Sequence, residues 1–452
     1  MTNIFEDDIE WQITEAIRGN LDSLSLRSLH QMGQLLPKTL LDIPGLRHLS
    51  LEYFNTDIPA WLSSITSLES LEIEETGSVK EILPQLWKLA HLRKLKLAYV
   101  REDLTELPSS LAKLEHLEEL NVDGADFTHF PDVIASLVSL QSFSYKYCDC
   151  ALPEVFDALS ALPELKKISF SHYDNESGDF LPESFCRLQA IEELYFNDWN
   201  YLKELPECIG ELRNLRIINL SNDDYQLDYD ALIKKLPDSL GNLCNLEELD
   251  VYGLQDLVQL PKNFSRLKRL KRLNTMCSGI KELPLTPEQW GNLEALSMHG
   301  PLPDLQHCIN LKEFGWFKNV VGVNYINGGV PYGTDEIISL QLAPLCNLES
   351  LSISGGALDS NAFLASMTQL RRLNLYCDFE NFPEGFEKLD KLEVINIWGA
   401  KSLTALPEYL GYMPSLKELH LSGCGVKYLP KSARERKGLH IYVRDCPVKW
   451  PE

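Results

Sequence analysis

The sequence predicts an α/β solenoid, with short parallel strands on one side and short helices or turns returning on the other. Three observations predict it. An apolar frame, L-x-x-φ-x-φ with φ apolar, recurs at offsets of roughly 24 residues, the mark of stacked repeats. A Leu-Pro step and a short helical run separate one frame from the next. Within each frame the apolar residues alternate, as in a strand packed on one face.

The stretch from Leu392 to Leu421 shows the unit. Its first frame is Leu392, Ile395 and Ile397, and the next is Leu416, Leu419 and Leu421. Leu406-Pro407 lies between them, followed by Leu410 and Met413. Frames open at about Leu21, Leu46, Leu68 and so on to Leu439, roughly eighteen turns with the first and last degenerate. The same strand repeated in the same sense makes the sheet parallel. A chain of 452 residues would ordinarily hold several cores, but a solenoid lengthens without needing a new one.

The returns LPSSLAKL, LPECIGEL, LPDSLGNL and LPEYLGYM share one plan. Proline is expected at the first helical position, where no amide partner is lost. Ser, Asp or Glu follows, and apolar residues three or four apart face the strands. Each buried Leu or Ile contributes about 1.5 to 3 kcal/mol, too little for a lone repeat to offset its chain entropy.

Residues 1–20 lie outside the pattern. Ile9, Ile13, Ala16 and Ile17 recur at helical spacing before Gly19-Asn20, so a capping helix is expected there. The array then occupies 21–446, with long insertions near 222–235 and 318–340. Residues 447–452 are read as a C-terminal cap, with Trp450 as a lid. The basic residues Lys427, Lys431, Arg434, Arg436, Lys437, Arg444 and Lys449 are read as a solvated cap surface.

Composition narrows the function classes. The chain is 44% hydrophobic and 24% charged, as expected of a folded protein. A net charge of -24 argues against nucleic acid or an anionic membrane as partner. No apolar run is long enough for a bilayer span. Glu6, Asp7, Asp8 and Glu10 stand where a secretory signal would be basic and then apolar. The eleven cysteines are odd in number and scattered. Cys244, Cys308 and Cys346 fall just before strands and read as small buried apolar residues in a reducing cytoplasm. The sequons at Asn175 and Asn263 are read as chance matches.

The pattern L-x-x-L-x-L followed by x-x-L-x-x-LP-x-x-φ-x-x-L resembles the leucine-rich repeat family over about residues 21–446. Stretches such as LKELPECIGELRNLRIINLSN look like the cytosolic repeats of Ras-suppressor-type and plant disease-resistance proteins. The resemblance implies a curved horseshoe, with a concave parallel sheet and short helices or turns on the convex side. It also implies protein binding. In one respect the chain departs from the family. The positions where many members carry a ladder of Asn hold Thr76, Val100, Ala125, Trp199, Leu254, Ser278, Ala400 and Cys424 among others.

Strand alternation lets the concave face be read by column. The residue after each frame is mostly polar in the first half of the chain. From Tyr252 it turns large: Tyr252, Met276, His299, Phe317, then Tyr376 and Trp398. Parallel strands lie about 4.8 Å apart, so these side chains form a stripe. Asp250, Asn274, Asn374 and Asn396 keep the adjacent column polar. Aromatics rimmed by hydrogen-bonding groups are what a protein hot spot needs. Mutual packing of the aromatics is the competing account. An acidic patch at Glu69, Glu72, Glu74 and Glu75 is read as solvated surface that would suit a basic partner.

Catalytic signals are missing. There is no phosphate-loop G-x-x-x-x-G-K-[ST], no H-E-x-x-H and no G-x-S-x-G. Gly328, Gly329 and Gly333 lack a lysine, Cys148 and Cys150 are too close for a zinc pair, and the ten histidines are dispersed. The expectation is therefore a non-catalytic, monomeric, cytoplasmic scaffold that binds a protein partner, without cofactor, metal, nucleic acid or membrane insertion. Two other readings stand beside it. One is an adaptor or secreted effector acting on host signalling or ubiquitin pathways. The other is small-ligand binding under the 318–340 loop.

Overall fold

A computed structural model describes residues 9–28, 35–100, 104–148, 150–172, 180–222, 233–317, 342, 344–354, 364–382 and 385–449. The chain divides into two compact units, Met1–Ile218 and Asn219–Glu452. The 318–340 insertion, most of the 222–235 insertion, the Asn175 sequon and Trp450 lie outside the described residues.

The first unit opens with α1 (Ile9–Gly19), which buries Ile9, Ile13 and Ala16. Ile17 stands at the edge of that stripe, 36% exposed. Eight strands follow: β1 (Ser23–Arg27), β2 (His48–Glu52), β3 (Ser70–Glu74), β4 (Lys94–Ala98), β5 (Glu119–Asn121), β6 (Ser142–Cys148), β7 (Lys167–His172) and β8 (Glu193–Tyr195). Each pairs in parallel with the next. Leu49, Leu71, Leu95, Leu120, Phe143, Ile168 and Leu194 stand side by side in the register. Their inward column is fully or almost fully buried. β9 (Ile217–Asn219) lies where the units meet in sequence.

The second unit repeats the plan with β10 (Glu248–Asp250), β11 (Arg272–Asn274), β12 (Ala295–His299), β13 (Glu313–Phe317) and β14 (Ser350–Ser354). It continues through β15 (Arg372–Tyr376), β16 (Val394–Trp398), β17 (Glu418–Ser422) and β18 (His440–Arg444). Leu249, Leu273, Leu296, Phe314, Leu351, Leu373, Ile395 and Leu419 form the matching column. On β18 the inward residues are only half-buried, as suits a last rung.

The returns are mostly five-residue 3-10 helices, and proline sits one place earlier than the sequence suggested. Pro108 is the N-cap of Ser109–Lys113, with extended φ -69° and ψ 141°. Pro206, Pro237 and Pro407 cap their returns in the same way. The reason lies in the spacing. Leu111, Leu114 and Leu117 recur every third residue, so each closes a three-residue turn on the position before it. The amide of Leu111 donates to Pro108 at 2.9 Å, and that of Leu114 to Leu111 at 3.0 Å. Several of the Asn-ladder positions are instead filled by small or apolar groups. Ala125, Leu254, Ala400 and Cys424 are each no more than 3% exposed.

At the exit from the sheet the chain turns a left-handed corner, repeat after repeat. Tyr53, Glu75, Tyr99, Gly124, Tyr147 and Asp198 hold this corner in the first unit, with φ between 48° and 72°. Gly253, Cys277, Gly300, Gly399, Gly423 and Asp445 hold it in the second. Glycine adopts such a φ freely, whereas a side chain there costs roughly 1 to 2 kcal/mol.

The cysteines correct the sequence reading in two places. Cys244 and Cys346 are exposed, while Cys308 is buried as expected. Cys186 and Cys208, on successive returns, are joined in a disulfide with Cα atoms 5.7 Å apart.

Candidate partner-binding face

The second unit's sheet turns its outward residues into two adjacent columns. In the register His299 lies opposite Phe317, Phe317 opposite Ser354, and Ser354 opposite Tyr376. Ser354 adds little bulk. The rings of Phe317 and Tyr376 therefore meet across it, with centroids 5.5 Å apart. Tyr376 continues to Trp398 at 6.0 Å, with the rings again tilted by 38°. Trp398 then faces Ser422 on β17. Three rings thus form one run, in the tilted geometry that aromatic quadrupoles favour.

Exposure along the run is uneven. Trp398 is 40% exposed, whereas Phe317 and His299 are each 8% exposed. Tyr376 is half-buried, and burial raises its phenol above the ordinary range. Phe317 and His299 are therefore backing, and Trp398 is the open end. Tyr252 and Met276 are half-buried at the ends of β10 and β11. Tyr252 stands three strands away from Phe317 and is not brought into the ring run.

The polar column splits into two kinds of residue. Asp250 and Asn274 serve their own backbone: Asp250 Oδ1 accepts from the Tyr252 amide at 2.9 Å, and Asn274 Oδ1 from the Met276 amide at 3.2 Å. Asn274 Nδ2 also donates to Asp250 Oδ2 at 3.2 Å. Asn374 and Asn396 instead form a side-chain ladder. Asn396 Nδ2 donates to Asn374 Oδ1 at 2.6 Å, and Asn374 Nδ2 to Ser352 Oγ at 2.8 Å. The ladder runs beside Tyr376 and Trp398. Its last acceptor, Asn396 Oδ1, takes no bond among the described residues.

Two features were not legible from residue type. Gly315 interrupts the polar column between Ser297 and Ser352. A Cβ there would lie 3.1 Å from Ser297 Oγ and 3.4 Å from the Met276 methyl. The glycine thus lets Met276 lie across the strand. The second feature is His299, whose Nδ1 is buried with no hydrogen-bond partner. Burial, the largest cause, lowers its pKa, and Lys281 adds to the effect. At the far end His420 Nε2 lies 2.9 Å from Glu418 Oε2, and its ring stacks on Tyr442 at 4.4 Å.

The family model for a leucine-rich repeat region matches residues 97–224 and 204–436. The chain belongs to the leucine-rich repeat family. Among curated leucine-rich repeat relatives, it is 27% identical to the TMV resistance protein N of Nicotiana glutinosa over 56% of its own length and 21% of that protein. It is 26% identical to the disease resistance protein RPP4 of Arabidopsis thaliana over 79% of its length and 29% of that protein. The chain thus spans well under half the length of these relatives. A leucine-rich repeat protein of Leptospira interrogans shares the fold, with TM-score 0.57, 21% identity, and coverage of 86% of this chain and 93% of that one. Among the described residues no helix is long and apolar enough to cross a membrane.

Proposed function

We propose that the chain is a protein-interaction scaffold whose second-unit sheet face seats a protein partner, as part of intracellular signalling. The observation that carries this reading is the unbroken run of Phe317, Tyr376 and Trp398 beside the Asn374–Asn396 ladder. Trp398 supplies an open indole, Tyr376 a half-buried ring, and Phe317 with His299 a firm backing. A face already ordered by strand pairing loses little freedom on binding. A partner covering it would bury about 1,200 to 2,000 Å2. Similarity to plant disease-resistance proteins supports a signalling role and a cytoplasmic setting. Eight free cysteines among the described residues favour the same setting, and the Cys186–Cys208 bridge weighs on the other side. The small-ligand alternative depends on the 318–340 loop, outside the described residues.

The test is affinity capture with the full chain, wild type beside Trp398→Ala, read by quantitative mass spectrometry. A bound protein that falls at least about thirtyfold with Trp398→Ala, near 2 kcal/mol or more lost, supports the reading. Identical recovery by the two chains overturns it.

A further inference from the structure

A second aromatic feature lies in the first unit, on the left-handed corners. Tyr99 and Tyr147 occupy two of these corners, with Gly124 holding the one between. Their rings meet at 6.1 Å, tilted by 48°. The meeting depends on Gly124, because a Cβ there would come within 2.8 Å of the Tyr99 ring. Both rings remain open to solvent, 40% exposed for Tyr99 and 43% for Tyr147.

The charge around the pair is negative. Burial, then the nearby carboxylate of Asp123, raises the Tyr99 phenol, with smaller effects from Tyr147, Glu74 and Glu75. Burial, Asp198 and Asp123 do the same for Tyr147. Among the described residues, Lys96 Nζ holds Glu74 at 2.6 Å, and Lys146 Nζ turns to Asn197 Oδ1 at 3.1 Å. Glu75 is exposed. The same column shows what such a tyrosine accepts. At Tyr53 the guanidinium of Arg27 sits 4.7 Å from the ring centroid. No Lys or Arg among the described residues occupies the equivalent place over Tyr99 or Tyr147.

We propose that Tyr99 and Tyr147 form a docking site for an arginine or lysine side chain on a basic segment of a partner protein. The ring faces supply the cation–π attraction, and Asp123, Asp198 and Glu75 supply the field. The site does not depend on the Trp398 face, and either can fail alone.

The test uses the full chain and a fluorescein-labelled heptapeptide, Gly-Arg-Gly-Arg-Gly-Arg-Gly, read by fluorescence anisotropy at low salt. The control peptide replaces each arginine by the uncharged citrulline. Wild type should bind the arginine peptide at least about tenfold more tightly than the citrulline peptide, as cation–π contact and attraction by the nearby carboxylates together allow. Tyr99→Ala/Tyr147→Ala should weaken binding at least about fivefold, and Tyr99→Phe/Tyr147→Phe should retain it, since the ring face is what counts. Glu75→Lys, which leaves the rings in place, should also weaken it and covers the case of a misfolded alanine double variant. Trp398→Ala should leave it unchanged. Equal binding by wild type and the alanine double variant would mean a diffuse acidic surface only, and would overturn the proposal. So would equal binding of the two peptides.

Discussion

The rings of Phe317 and Tyr376, two strands apart, touch across Ser354 with centroids 5.5 Å apart. The contact exists because a serine, 5% exposed, stands where a larger side chain would separate them.

Ser354→Leu should therefore force the rings apart. Overpacking of this kind costs about 1 to 3 kcal/mol, measurable as a lower urea midpoint with an unchanged m-value. Partner binding should fall with it. An unchanged midpoint would mean that the run has room to spare.

Two glycines with left-handed φ, Gly253 at a sheet exit and Gly438 just before β18, should differ sharply. A Cβ at Gly253, φ 78°, would lie 1.9 Å from the Asn222 carbonyl oxygen, a backbone atom. At Gly438, φ 86°, it would meet nothing within 4 Å. Gly438→Ala should cost only backbone strain, about 1 kcal/mol, whereas Gly253→Ala should cost about 3 kcal/mol or more. Chemical denaturation of the two variants checks this ordering.

His299 should make stability fall as pH drops. Its pKa is lowered in the folded chain, so the unfolded chain takes up a proton first as pH falls through the ordinary value of 6.5. Stability is then complete above that value and is lost progressively below it. Replacing the ring by His299→Gln should flatten this part of the profile of melting temperature between about pH 7 and 5.5. A profile identical to wild type would assign the slope to other groups.

Thiol labelling should sort the cysteines by burial. Burial pushes the Cys308 and Cys377 thiols up to about 12, and neither is open to solvent. Iodoacetamide on the native chain near pH 8 should modify Cys244 and Cys346 quickly and spare Cys308 and Cys377. Peptide mapping without reductant should recover Cys186 linked to Cys208. Recovery of both as alkylated thiols would place the chain in its reduced form.

The apolar frames made the strands legible because a period of two over four to six residues admits one packed face. Leu392, Ile395 and Ile397 are each fully buried, as their spacing required. The returns were legible as short helices or turns, but the place of proline was not: it was expected at the first helical position and stands at the N-cap. The aromatic column was legible as a column, since register copies one position onto the next strand.

By itself, then, the sequence determined the repeat, the parallel pairing and which residues face inward, because these follow from local alternation multiplied along the chain. Only the tertiary structure decided that Trp398 is open while Phe317 and His299 are covered. It also decided that Asp250 and Asn274 serve their own backbone, and that Tyr99 reaches Tyr147 over Gly124. Each of these depends on the side-chain volume two strands away or on a backbone amide two residues on. Those are distances in space that no single repeat encodes.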